Sequence, residues 1–199
     1  IIQCSEYSID ERLSILKRFY SKIDSLKLEG DWEGLEEFFE DYSKGIFNYQ
    51  EYIKESLKVD ERFSAIIGDN DIIKKIRSPR LKKYAEDYRN NILLDRNKDL
   101  YNDITEKIEE ILKDYAYVLE NYLVNQIFKD LIPFNKGEDM MASVNVLINT
   151  YKLIKEYLKG RIYKSKERIM AEDVVSVIQA ISKDLEHNKV LNKIINYKA

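Results

Sequence analysis

The run from Ile104 to Phe134, ITEKIEEILKDYAYVLENYLVNQIFKDLIPF, constrains this chain more than any other stretch. Its apolar residues fall at Ile104, Ile108, Ile111, Leu112, Tyr115, Val118, Leu119, Tyr122, Leu123, Ile127 and Leu131. Steps of three and four draw one stripe along a helix, because side chains at that spacing share a face. Val124 and Phe128 widen the stripe towards the C-terminal end. A helix that is apolar around most of its circumference is one that neighbours enclose. Pro133 ends the pattern, since proline lacks a backbone donor and turns the preceding residue away from helix. The expectation is a long central helix, about 102–132, wrapped by others.

The rest of the chain supplies the wrapping. Two prolines and six glycines in 199 residues leave few places where a helix must stop. Ser8 and Glu11 form a capping box, a hydroxyl at the N-cap and a carboxylate three residues on, and Gly30 suits the end of the helix they open. Asp31 caps a second helix with Trp32, Leu35, Phe38, Phe39 and Tyr42 on one side and five acids, Glu33 to Asp41, on the other. Further helices are expected over about 49–67, 79–94, 138–158 and 171–186, with a short one over 190–197. Ser78-Pro79 marks the start of the second of these five, and the short connection 134–137 favours antiparallel packing of the helices it joins. No strand alternation and no internal repeat is visible. The fold class is all-α, a multi-helix orthogonal or antiparallel bundle, read as a single domain over 1–199.

Charge and cysteine content exclude several functions. A formal charge of −3 gives no overall drive towards nucleic acid. Basic residues cluster at Lys74 to Lys83 and from Lys159 to Arg168, but no glycine-rich loop accompanies either cluster. The single cysteine, Cys4, makes neither an internal disulfide nor a cysteine-rich metal site, and it suits a reducing, cytoplasmic setting. No apolar run approaches the ~20 residues that span a bilayer, so no membrane partner is expected. The chain opens at Ile1 without an initiator Met, which suggests the C-terminal fragment of a longer protein.

Four residues stand out as a candidate polar site. Asn121 and Asn125 lie one turn apart on the long helix, and amides enclosed there need partners because an unmet buried polar group costs roughly 1–3 kcal/mol. They read either as a polar site between helices or as bonds holding a packed neighbour. Tyr122 lies between them, and with Tyr115 and Tyr117 it suggests a tyrosine-lined slot or plain core. His187, the only histidine, reads as a general base or as a cap on free carbonyls at a helix end. No nucleophile–base pair, metal-ligand spacing or glycine-rich strand–helix turn is present to identify catalytic or cofactor-binding residues.

These segments resemble a known family. Glu120-Asn121-Tyr122-Leu123-Val124-Asn125-Gln126-Ile127-Phe128-Lys129, followed by Pro133-Phe134, resembles the C-terminal part of the flagellin lysine-N-methylase family. Asp173 to Gln179 with Glu186-His187-Asn188 looks like its closing helix, and Glu11-Arg12-Leu13 through Phe19 is similar to the segment opening its helical region. Asn121, Tyr122, Asn125 and His187 match family motif positions. The resemblance implies a bacterial methyltransferase that moves a methyl group from S-adenosylmethionine to lysine amines of flagellin. It also implies an iron–sulfur cluster on a cysteine-rich N-terminal region that this chain lacks. The expected role of the chain is therefore scaffolding or substrate engagement, inactive by itself. The competing expectation is a non-enzymatic helical interaction module that uses the acidic helix face or the basic turn.

Overall fold

The computed structural model describes residues 1–45, 48–53, 57, 59–95, 98–134, 139–163, 169–187 and 194–196. Among them every regular element is helical, as the composition predicts. Helix α1 (Ile9–Glu29) opens on the expected capping box: Ser8 N–H donates to Glu11 Oε2 at 2.7 Å and Glu11 N–H to Ser8 Oγ at 3.3 Å. Gly30 closes it at φ 70°, a left-handed conformation that a side chain resists. Helix α2 (Trp32–Ser43) follows from the Asp31 cap but has no buried residue. Its Leu35, Phe38 and Tyr42 only lean on Phe19, so it lies on the outside of the molecule.

The stretch expected as one helix over 49–67 is two, α3 (Tyr49–Tyr52) and α4 (Glu61–Ile67). Asp60 separates them: with an extended backbone it gives its carboxylate to the Phe63 N–H at 2.8 Å, which starts a new helix instead of continuing the old one. Helix α5 (Asn70–Lys75) precedes α6 (Pro79–Tyr88), which opens on Ser78 and Pro79 and runs into a π turn over Arg89–Leu93. Inside that turn the buried Asn91 amide donates to the Gly160 carbonyl at 2.8 Å.

The long central helix does not form as one rod. It is α7 (Lys98–Asp114) and α8 (Ala116–Lys129), broken at Tyr115, where φ is −113° and ψ is 18°. The Val118 N–H bonds Tyr115 O at 3.0 Å, a tighter reach than a continuing helix makes. Size supplies the reason: a straight helix over 102–132 would extend about 46 Å, beyond the roughly 40 Å breadth of a domain this long. Breaking it lets Ile104, Ile108 and Leu112 on one half and Leu119, Tyr122 and Leu123 on the other reach a common core.

The enclosed element is instead α9 (Met140–Ile162), which carries buried side chains on every face. It packs chiefly against α6 and α1, with α7 and α10 (Ala171–His187) alongside; the antiparallel pairing expected with the preceding helix is a lesser contact. Each of its fully buried Leu and Ile side chains contributes about 1.5–3 kcal/mol. Gly160 lies within α9, not at its end, because the Tyr88 backbone packs there; a Cβ on Gly160 would lie 2.5 Å from Tyr88 N and Cα. Buried Glu156 and Lys159 form an ion pair at 2.6 Å, and Lys159 Nζ also donates to Tyr101 Oη at 3.1 Å. Of the short helix expected over 190–197, Ile194 and Ile195 are helical and buried; residues 190–193 and 197 lie outside the described residues.

Candidate functional site

A cleft of about 740 Å³ opens where α7 gives way to α8. Leu112 and Lys113 before the break at Tyr115 and Ala116 and Leu119 after it all line the cleft. The N-terminal turn of α1 forms a second wall, and Tyr151 and Lys155 of α9 form the floor. Ile9, Ile53, Leu57, Leu112, Ala116 and Leu119 make its apolar part.

The floor is a tight polar cluster. Asp10 accepts the Tyr151 hydroxyl at 2.6 Å and the Lys155 ammonium at 3.0 and 2.9 Å. Glu109 lies 3.7 Å from the same ammonium and is largely exposed to the cleft. Burial, and then the facing Asp10 charge, push the Tyr151 phenol well above its ordinary value, so it is a fixed donor at neutral pH. Arg12, nearly buried, donates to Tyr7 O, Ile2 O and Glu120 Oε2 at 2.6, 2.9 and 2.6 Å, and so ties the wall to α8.

Charge decides what such a cleft accepts. Four carboxylates line it, Glu6, Asp10, Glu11 and Glu109, against three cations, Arg12, Lys113 and Lys155. Glu120 neutralises Arg12, leaving four acids against two bases and an excess of negative charge. An apolar wall beside a carboxylate floor suits a cationic ligand with an aliphatic stem.

Residues 1–197 match the family model for the FliB lysine N-methylase C-terminal domain. The chain belongs to that family. No curated protein and no solved structure was found to match it.

Within this methylase domain Asn121 and Asn125 turn away from Tyr122, with which the sequence grouped them. Asn121 and Asn125 are exposed on the outer side of α8, which corrects the expectation of enclosed amides. The cause is that α9, and not α8, occupies the centre. Tyr122 faces inward, where its hydroxyl lies near Ser182 without a well-formed hydrogen bond, and burial raises its phenol. Tyr117 points outward, away from Tyr122, so the two do not share a slot. His187 ends α10, and its side chain lies outside the described residues.

The iron–sulfur cluster implied for the methylase does not fit the residues of this chain. An iron–sulfur cluster takes about four thiolates, and the sequence holds one cysteine, the half-buried Cys4. Among the described residues there is also no strand from which a glycine-rich turn cradling an adenosyl group might open. Asp10, Glu109, Tyr151 and Lys155 escaped sequence reading because their meeting is long-range. One signal was present: Lys155, Glu156 and Lys159 interrupt an otherwise apolar helix, and charges in such a place are paired or functional.

Proposed function

We propose that this domain engages the protein substrate of a lysine N-methylase, receiving a lysine side chain in the cleft between α1, α7, α8 and α9. The excess of carboxylate over available cation in an aliphatic-walled cleft carries this reading. The lysine methylenes would lie against Leu57 and Leu112, and the ammonium would meet Glu109, whose carboxylate is exposed and at the limit of reach of Lys155. The family resemblance favours flagellin as the substrate. We assign the methyl donor and the cluster to another region of the methylase, in keeping with the family's description as a C-terminal domain.

Fluorescence anisotropy with a lysine-bearing flagellin peptide tests this. Binding is expected, with loss on acetylation of the lysines and about tenfold weakening by Glu109→Gln. Equal affinity for the acetylated peptide, or no affinity for either, rejects it. One observation supports the alternative of an interaction module: α2 buries no residue and exposes Trp32 and Phe39 beside five acids. If that helix is the binding surface, charge reversal on α2 and not at Glu109 will abolish peptide binding.

A further inference from the structure

Helix α8 is apolar on two opposite sides, and among the described residues only one of them enters the core. Leu119, Tyr122 and Leu123 enter the core. On the outer side Tyr117 is 59% exposed and Phe128 76%, and the turn after the helix adds Leu131 at 68% and Phe134 at 71%. Tyr117, Asn121 and Phe128 follow the four- and seven-residue steps of one helix stripe, and Asn125 flanks them. The same side carries no charged residue between Tyr117 and Phe128, since Glu120 is drawn off to Arg12. Single exposed apolar residues are ordinary on protein surfaces; two on one uncharged helix stripe with two more in the turn that follows are not.

We infer that this row is the contact between two copies of the chain, α8 against α8 across a twofold axis. Size supports a second copy. The four side chains present roughly 500 Å² of apolar surface. A stable interface buries about 800 Å² on each partner, about 65% of it apolar in homodimers, so the row supplies the apolar share of one such half-interface. Self-complementarity supports it as well. A twofold contact requires each patch to match itself, and an amide does so, because it offers a donor and an acceptor to its own copy. Asn121 and Asn125 are the polar residues of the row. An amide among apolar side chains at such a seam fixes the register of the two helices.

Sedimentation equilibrium of the 199-residue chain tests the inference. A concentration-dependent dimer is expected, with Phe128→Asp and Leu131→Asp each raising its dissociation constant by about 30-fold or more. Both residues are exposed, so the variants are expected to keep the wild-type helical circular dichroism and melting temperature. Asn121→Lys is a third variant that repels its own copy without touching the core, and it also should dissociate the dimer. A wild-type chain that stays monomeric at ~100 μM overturns the proposal, as does a dimer indifferent to all three substitutions.

Discussion

Lys155 Nζ sits 2.9 Å from Asp10 Oδ2, so a cation in the middle of α9 closes on the first turn of α1 across 145 residues of sequence. The two partners are unequally placed: Lys155 is nearly buried, while Asp10 keeps more contact with solvent. Removing the carboxylate strands the Tyr151 hydroxyl and leaves the nearly buried ammonium only the more distant Glu109, at 3.7 Å. Asp10→Ala is expected to lose about 3 kcal/mol of stability, and Lys155→Met about 1 kcal/mol, because Asp10 would retain Tyr151 and water. Urea denaturation of both variants checks the asymmetry; equal losses would contradict it.

Glu156 and Lys159 form a pair with neither charge in contact with solvent. Breaking such a pair costs more than replacing it. Glu156→Ala is expected to lose about 3–5 kcal/mol, whereas the double change Glu156→Met with Lys159→Met should recover most of it. A double-mutant cycle by denaturant melts provides the measurement, and a double variant less stable than Glu156→Ala would count against it.

Gly160 tests helix contact against helix propensity. In an exposed helix Gly→Ala gains about 1 kcal/mol. Here the added methyl would lie 2.5 Å from Tyr88 backbone atoms, which cannot rotate away. The steric cost, about 1–3 kcal/mol or more, is expected to win. Thermal melts of Gly160→Ala should show a lower midpoint; a higher one would mean that α6 and α9 separate freely.

Alkaline pH should weaken the fold. Burial raises the Tyr88, Tyr151 and Tyr157 phenols from an ordinary value of 10.0. Groups raised in the folded state contribute stability that is whole below pH 10 and is lost as pH rises towards the folded value. Each of the three should therefore forfeit about 1.4 kcal/mol by pH 11. Urea midpoints are expected to hold from pH 7 to 9 and fall from pH 10 to 11. Tyrosinate absorbance from these three should appear only with unfolding.

Local sequence chemistry settled where most helices begin. Ser8, Asp31 and Ser78 cap as their side chains dictate, and Gly30 stops α1, because these effects act within a turn. The all-helical class followed from sparse glycine and proline, and the family from ordered motifs along the chain. Tertiary structure alone decided which helix lies at the centre. Periodicity gives the width of an apolar stripe but not what covers it. The stripe on α8 is half exposed, while α9, interrupted by charges, is enclosed because Lys155 and Glu156 find partners in space. The cleft likewise is lined from both sides of a break at Tyr115 that the helical pattern does not show. A backbone leaves a favourable helix there only because both halves then reach one core, and that gain exists only once the other helices are in place.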